Sequence, residues 1–212
     1  MKLHKLNIVG DGAFGSFLKE LLAPHYEFTP EANSVLLAVP ISAYEDVASK
    51  NKGKHLINVC SVQKPSTDIC LKYSELVTSL HPLFGRRTPS DKRNTLITYS
   101  YQLATGQDDS WWFDDNNPEN CFMRGFRKVS ATWDKDPDTG IRFTPDTHDR
   151  LMAKTHLAAV MGAQQLKVFV DRAKDIPDFL LPNSFRLMRD FVKTLEDMPQ
   201  GTIESIMANP YL

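Results

Sequence analysis

Residues Leu6–Leu22 read LNIVGDGAFGSFLKELL. The first four residues have strand character, and the apolar residues after the glycines recur at helical spacing. Between these two parts lies the pattern Gly-x-Gly-x-x-Gly, which Gly10, Gly12 and Gly15 form. The stretch therefore predicts a strand, a tight turn and a helix, in that order.

Each glycine of this turn has a place in dinucleotide binding. Gly10 permits the tight turn, Gly12 lets the backbone approach a pyrophosphate, and Gly15 lets the helix pack close to the strand. The N-terminus of the helix then points unpaired N–H groups at the phosphates. A tight turn without a ligand is the alternative. We predict a dinucleotide site made by Gly10, Asp11, Gly12, Ala13, Phe14 and Gly15.

The composition is that of an ordinary globular protein with a small-molecule ligand. Its 212 residues suffice for one large domain or two small ones. A formal net charge of -1 provides no basic excess for nucleic acid or an anionic membrane surface. The three cysteines form no Cys-x-x-Cys pair, so neither a disulfide framework nor a metal site is predicted. No apolar run has the length of a signal core or a membrane span, and we expect a cytoplasmic protein.

Short apolar runs after the first helix predict a largely parallel sheet with helices between its strands. Helices are expected at Ile41–Lys50 and in a short piece around Asp68–Tyr73. The acidic segment Asp108–Asn120 is predicted to be a loop. Its Trp111, Trp112 and Phe113 are expected to anchor the segment to the protein surface, and the alternative is that they cover a ligand. The strands are predicted at His25–Thr29, Ser34–Pro40, His55–Cys60, Leu76–Leu80, Asn94–Tyr101 and, as an edge strand, Val129–Trp133.

The connection between the second and third predicted strands is unusually short. In a dinucleotide fold the second strand leads to an acid for the adenosine ribose, and a helix follows. Here Pro30–Asn33 leads directly into the next strand, so one helix is missing. Glu31 lies where the ribose acid is expected, with an exposed loop glutamate as the alternative. Val39 and Pro40, at the carboxyl end of the third strand, complete the predicted cofactor-binding set.

From Pro145 onward the pattern changes to helices. Pro177 and Pro182 interrupt the apolar periodicity, and Asn183 or Ser184 is predicted to cap a further helix. We therefore predict an α/β fold, with a Rossmann-type dinucleotide-binding domain at residues 1–145 and a small all-helical domain at residues 146–212.

Several further motifs follow one another in a specific order. Asn58-x-x-Ser61-Val62-x-Lys64 comes after the Ala-Val-Pro strand, and His81-Pro82-Leu83-Phe84-Gly85 comes after that. Later stretches read THDRLMA at 147–153 and ESIMANP at 204–210. This series resembles the prephenate dehydrogenase family. Its members oxidatively decarboxylate prephenate, or the amino analogue arogenate, with NAD or NADP.

The resemblance implies roles for individual residues. His81 matches the catalytic histidine, and Ser61 matches the serine that hydrogen-bonds the reacting hydroxyl. His148, in the family's His-Asp segment, is expected near the substrate, and Arg186 or Arg189 is expected to hold a substrate carboxylate. The resemblance also implies a homodimer formed through the C-terminal helices.

The chain departs from the family pattern at three points. Asn58 stands where the family usually has Asp, Gln63 stands where it has a lysine, and Lys64 follows one place later. The helical domain is also shorter than in the family. These departures keep open a nucleotide-binding relative without turnover, and another small NAD(P)-dependent reductase of the same fold is a second alternative.

The residues themselves suit this chemistry. Histidine is a fitting base because its ordinary pKa of about 6.5 leaves it largely neutral at working pH. The alternative for His81 is a structural turn histidine. Ser61 is otherwise a helix cap, and the pair His148 and Asp149 otherwise belongs to a first helical turn. His156, among apolar neighbours, is predicted to be a packed or interface residue.

Two expectations concern charge. Arg86 and Arg87 directly follow the His-Pro motif. One of them is therefore expected to contact a substrate carboxylate, and the alternative is that both are solvated surface charges. No Lys or Arg lies from Tyr26 to Ser34 to pair with a 2′-phosphate, which favours NAD over NADP weakly.

Overall fold

The computed structural model describes residues 3–105 and 117–212. Its strands, within those residues, are β1 His4–Val9, β2 Tyr26–Phe28, β3 Ser34–Leu37, β4 His55–Asn58, β5 Val77–Pro82, β6 Asn94–Ser100 and β7 Ala131–Trp133. They form one seven-stranded sheet in the order β2-β1-β3-β4-β5-β6-β7. Neighbouring strands are parallel except β5 and β6, which are antiparallel.

Helices cover the sheet and continue beyond it. They are α1 Ala13–Leu22, α2 Tyr44–Lys50, α3 Lys64–Tyr73, α4 Tyr101–Ala104, α5 Pro118–Phe126, α6 Pro145–Met152, α7 Ala158–Arg172, α8 Asn183–Glu196 and α9 Gln200–Met207. A π-helical turn, Ala153–Leu157, joins α6 to α7. The predicted α/β class with a C-terminal helical part is confirmed.

The two faces of the sheet bury separate clusters because successive strand residues point to opposite sides. Leu6 and Ile8 of β1 pack against α1 and α5 on one face. Val35 and Leu37 of β3 pack towards α2 and α3 on the other. A third cluster belongs to the C-terminal helices and includes Leu157, Val160, Ala163, Leu195 and Ile206.

The short connection after β2 omits more than the predicted single helix. β3 pairs with β1 on the side away from β2, which is the place of the fourth strand in the doubly wound dinucleotide fold. Pro30–Asn33 therefore replaces a helix, a strand and its crossover. As a result β2 lies at the edge of the sheet.

The loop predicted at Asp108–Asn120 is wrong at its end, because residues 118–120 belong to α5. Phe122 of α5 is buried against Tyr26 of β2, whose hydroxyl donates to the Phe122 carbonyl. A side chain at Gly125 would put its Cβ 2.2 Å from the Tyr26 hydroxyl, so the close approach of α5 depends on this glycine. The predicted roles of Trp111, Trp112 and Phe113 lie outside the described residues.

Two helix starts also differ from the prediction. α3 begins at Lys64, four residues before the predicted piece, with Pro65 in its first turn. α8 begins at Asn183, and Pro182 occupies the cap position without a side-chain hydrogen bond. Neither Asn183 nor Ser184 is therefore the predicted cap. Proline suits both starts because its missing N–H would have had no helical partner.

A buried polar chain lies at the amino-terminal ends of β3, β4 and β5. The His55 ring bonds Ser34 Oγ through Nδ1 at 3.1 Å and Thr78 Oγ1 through Nε2 at 2.8 Å. The Thr78 hydroxyl donates to Glu119 Oε1 at 2.5 Å, and the Ser100 hydroxyl donates to Oε2 at 2.9 Å. Burial raises the pKa of Glu119 to about 7 and lowers the pKa of His55 to about 3.

Glu119→Gln should therefore stabilise the protein progressively as pH rises. The folded state holds the Glu119 proton between pH 4.5 and about 7, where the unfolded state has lost it, so this group's contribution to the free energy of unfolding falls across that range. Relative to the wild type, the variant should gain about 3 kcal/mol between pH 4.5 and pH 8.

Urea unfolding of both proteins at several pH values measures this difference in the free energy of unfolding. The titration of His55 affects both proteins alike, so its contribution largely cancels in the difference. The exposed Glu27→Gln is the control and should show no such gain. A constant difference between Glu119→Gln and the wild type at all pH values would contradict the raised pKa.

Candidate active site

A cavity of about 940 Å³ opens at the carboxyl end of β4, where this strand end and the loop after β5 meet the C-terminal helices. Strand ends of this kind are where open α/β sheets bind ligands. The walls come from α1, the β5 loop, α6, the π turn and the α8–α9 connection. The lining residues used below are Ala13, Phe14, Ser61, His81, Arg86, Arg87, His156 and Asp197.

The glycine turn has the geometry of a phosphate-binding loop. Gly10 has a φ of 117°, and a Cβ there would lie 2.2 Å from the Ala38 carbonyl oxygen. A Cβ at Gly15 would lie 2.2 Å from the Gly10 carbonyl oxygen, so helix and turn are in close contact. Gly12 differs, because a Cβ there would meet no described atom within 4 Å. The turn needs two glycines for its own packing and leaves open space at the third.

The N-terminus of α1 lies at this open space. Gly12 occupies the cap position, and no side chain caps the helix. Ser16, the nearest hydroxyl, donates instead to the Asp11 carbonyl at 2.9 Å. Ala13 and Phe14 line the cavity. The first N–H groups of α1 thus remain for an anion, and the loop fits the pyrophosphate of a dinucleotide.

The other predicted cofactor residues follow neighbouring strands. Glu31 comes just after β2, and its exposed carboxylate accepts from the Thr29 hydroxyl, which lowers its pKa. Val39 follows β3 and lies against the glycine turn, with Cγ1 3.2 Å from the Cβ position of Gly10. Pro40 contacts Gly201 at the start of α9, so the C-terminal helices reach this side of the turn.

Ser61 and His81 line the same cavity. Ser61 lies in the loop that leaves β4, and His81 is a residue of β5 paired with Leu96 of β6. The His81 side chain is fixed by this pairing and is buried. The structure therefore brings the two predicted catalytic residues to one place.

A hydrogen-bonded chain of three side chains lies behind His81. His81 Nδ1 is 2.7 Å from His148 Nε2, and His148 Nδ1 is 2.8 Å from Asp149 Oδ1. A carboxylate only accepts, so His148 carries its proton on Nδ1 and accepts at Nε2. His81 then donates through Nδ1–H, which leaves Nε2 as its unprotonated nitrogen. No described residue bonds that nitrogen.

Asp149 is held by two backbone N–H groups and one side-chain amide. Its carboxylate accepts from the N–H groups of Gln63 and Lys64, each at 2.8 Å, at the start of α3. Asn209 Nδ2 donates to its carbonyl oxygen at 2.9 Å. Asp149 thus caps α3 rather than complementing a first turn of its own helix.

His148 does not reach the cavity, contrary to the prediction that it contacts substrate. It is completely buried between His81 and Asp149 and is not among the lining residues. Its place is to orient His81.

His156 is the functional residue that the sequence interpretation missed. It lies in the π-helical turn, lines the cavity and stacks on His81, with ring centroids 5.9 Å apart and planes 20° apart. π-helical turns occur frequently at functional sites because they re-aim side chains. Burial lowers the pKa of His156, and burial together with His148 and His156 lowers the pKa of His81 well below its ordinary value. Both rings are therefore neutral near pH 7.

No family model and no curated protein matches the sequence. Several solved structures are similar over most of the chain, and three of them are described here. A "putative prephenate dehydrogenase" from Corynebacterium glutamicum has a TM-score of 0.63 and 15% identity, covering 96% of this chain and 73% of that one. The Synechocystis arogenate dehydrogenase has a TM-score of 0.55 and 15% identity, and the match covers 97% of this chain and 84% of that one. The Aquifex aeolicus prephenate dehydrogenase has a TM-score of 0.51 and 13% identity, and the match covers 96% of this chain and 77% of that one. This chain shares their fold.

Arg186 and Arg189, the two residues predicted to hold a substrate carboxylate, both contact Asp178. Arg189 Nη1 pairs with Asp178 Oδ1 at 2.6 Å, and Arg186 Nη2 donates to the Asp178 carbonyl at 2.7 Å. Neither residue lines the cavity. Arg86 and Arg87 line it instead, because the β5 loop carries them past His81 to the cavity mouth.

Asn58 and Gln63, where the chain departs from the family pattern, are both buried hydrogen-bonding centres. Asn58 Oδ1 accepts from the Tyr44 hydroxyl at 2.8 Å and the Cys60 N–H at 2.9 Å. Gln63 Nε2 donates to the Leu80 carbonyl at 2.9 Å, which ties α3 to β5 next to His81. Both side chains hold strand ends in place, and neither lines the cavity.

No helix among the residues that the structure describes combines the length and the apolar character of a membrane span. No group of three His, Cys, Asp or Glu residues among them has the arrangement of a metal site.

Proposed function

We propose that the protein is an NAD(P)-dependent oxidoreductase that oxidatively decarboxylates prephenate or arogenate. One observation carries the proposal: His81, backed by His148 and Asp149, lies in a cavity whose wall includes the start of α1 at the glycine turn. A neutral, oriented histidine next to a dinucleotide loop supplies the base that alcohol oxidation requires.

The glycine turn would hold the dinucleotide, with the N–H groups of α1 at its pyrophosphate and Glu31 at its ribose. The bound nicotinamide supplies the hydride acceptor. Ser61 would hydrogen-bond the substrate hydroxyl and keep it next to His81.

His81 Nε2 would take the hydroxyl proton as the hydride leaves the same carbon. Carbon dioxide leaves the opposite carbon, its bonding pair makes the ring aromatic, and the proton returns from His81 to the resulting phenolate oxygen. The imidazolium that forms donates its Nδ1–H to His148, which is in turn bonded to the Asp149 carboxylate. Charge-assisted hydrogen bonds of this kind stabilise the cation. The site thus combines a base, His81, a residue that orients the base, His148, and an anion, Asp149, in the manner of a catalytic triad.

The test is an absorbance assay for reduced cofactor with prephenate and arogenate, each with NAD and NADP. Turnover of one substrate is the expected result, with NAD favoured because the Glu31 carboxylate suits a free ribose hydroxyl. Nucleotide binding without turnover of either substrate would favour the non-catalytic relative, and oxidation of other small hydroxy acids alone would favour another reductase of this fold.

His148→Gln should lower kcat about 10-fold to 100-fold with little change in KM. The glutamine oxygen still accepts from His81 Nδ1–H, but the variant loses the link to Asp149 that stabilises the imidazolium, worth roughly 1.5–3 kcal/mol. Steady-state kinetics and a thermal melt measure the effect and the integrity of the fold. Equal losses in kcat and in cofactor affinity would instead indicate general damage to the site.

We also propose a cytoplasmic homodimer, formed through a helical domain at residues 146–212. Large apolar side chains are exposed on α7, α8 and their connection, among them Phe169, Phe179, Leu180 and Leu187, with Phe179 81% exposed. Several exposed large apolar side chains on neighbouring elements are typical of an association site. The described cysteines form no disulfide, which suits a reducing compartment.

Sedimentation at micromolar concentration should therefore show a dimer. Leu187→Glu, at a residue 63% exposed, should shift the protein to monomer without unfolding it, because the side chain packs little within its own chain. Gln164→Glu, at an exposed position of α7, is the control, because it adds the same charge without removing an apolar side chain. A monomeric wild type would contradict the proposal.

A further inference from the structure

The charged residues that line the cavity are two arginines and one aspartate. Arg86, Arg87 and Asp197 give the described lining a net charge of +1, since His81 and His156 are neutral. Arg87 lies in the loop after β5, and Asp197 is the C-cap residue of α8. The two sides of the cavity mouth therefore carry opposite charges.

These two charges are paired across the mouth. Arg87 Nη1 is 2.6 Å from Asp197 Oδ2, and the two side chains are 71% and 42% exposed. An exposed pair of this kind contributes little to stability, so a ligand can replace it at small cost. Arg86 differs, because it binds both carboxylate oxygens of Glu20, at 2.7 and 2.9 Å, and Glu20 does not line the cavity.

The shape of the proposed substrates determines which of their groups contacts the Arg87–Asp197 pair. Their ring hydroxyl lies opposite the carbon that carries the carboxylate and the side chain. With the hydroxyl at the buried His81, we place the side chain towards the cavity mouth, where Arg87 and Asp197 form an ion pair whose two partners both line the cavity. The end of the side chain is an α-keto acid in prephenate and an α-amino acid in arogenate.

We infer that Arg87 and Asp197 bind the two charges of an α-amino acid, and that the enzyme prefers arogenate to prephenate. The amino acid carboxylate accepts from Arg87, and its ammonium donates to Asp197, so one internal ion pair is exchanged for two with the ligand. A keto oxygen has no proton to donate and would face the Asp197 carboxylate.

This inference rests on the proposed function and is tested by comparing kcat/KM for the two substrates with one cofactor. The wild type should favour arogenate. Asp197→Asn should lower kcat/KM for arogenate about 10-fold to 100-fold, the loss expected for a hydrogen bond to a charged group, and should leave or improve that for prephenate. Asp46→Asn is the matched control, because it breaks the exposed ion pair with Lys50, neither partner of which lines the cavity, and it should keep the ratio of the wild type.

Binding of the two aromatic products separates the inference from the proposed function. Calorimetry with L-tyrosine and 4-hydroxyphenylpyruvate, in the presence of NAD, measures the preference without turnover. Tighter binding of tyrosine that Asp197→Asn abolishes supports the zwitterion site even in a protein without turnover. An equal or stronger affinity for the keto acid in the wild type, or an unchanged ratio in Asp197→Asn, overturns it. Absence of turnover alone would count against the proposed function only.

Discussion

His81→Asn should lower kcat by about 10² to 10⁴-fold, the contribution of a general base, and leave ligand binding nearly unchanged. Asparagine has a similar shape and can donate to His148 in place of the imidazole, but it takes no proton at the cavity. Because the lost interaction exists chiefly in the transition state, the effect belongs in kcat and not in KM. The measurement is steady-state turnover with the substrate and cofactor that the wild type uses.

The pH profile gives a second and independent signature of the same residue. Only neutral His81 is competent, so kcat must fall as pH drops through its pKa. Burial, His148 and His156 all lower that pKa well below its ordinary value, so the acidic limb should begin below pH 6.5 rather than at it. In His81→Asn this limb should disappear from the residual rate.

His4→Asn is a suitable control, because His4 is exposed at the amino end of β1, whereas the site lies beyond the carboxyl ends of the strands. It should keep the rate and the pH profile of the wild type. If His81→Asn did the same, the base would be elsewhere, and His156, the other histidine that lines the cavity, would be the next residue to replace.

The fold was largely predictable because its signals are local. The glycine turn, the apolar runs of the strands and the change to helical periodicity at Pro145 each lie within a few consecutive residues. Helix α5 was missed because its identity depends on distant contacts. Its apolar Phe122 and Phe126 follow an acidic segment, and only Tyr26 of β2, almost a hundred residues earlier, shows which surface they cover.

The candidate site was predictable only in part, for the same reason. His81 and Ser61 belong to motifs within single loops or strands, so sequence order located them. The contact between His156 and His81 requires a π-helical turn that extends the spacing of α6, and no residue in Ala153–Leu157 signals such a turn. Arg189 looked available in the sequence, but Asp178, eleven residues away, folds back to pair with it.

Gly12→Val should weaken dinucleotide binding at least about 100-fold, equivalent to about 2.7 kcal/mol, and leave the fold intact. The backbone at Gly12 has a φ of -63°, which any L-residue adopts, and a Cβ there meets no described atom. The valine side chain would instead fill the space where a pyrophosphate approaches the N–H groups of α1.

The expected result contrasts with the other two glycines of the turn, where a Cβ would lie 2.2 Å from a backbone oxygen and would disturb the fold itself. Gly162→Val on α7, where a Cβ also meets no described atom, is the control for adding the same side chain. Calorimetric titration with NAD and NADP, together with thermal melts, separates binding from stability. A Gly12→Val protein that bound the dinucleotide as tightly as the wild type would show that the turn is structural and that the nucleotide, if bound at all, lies elsewhere.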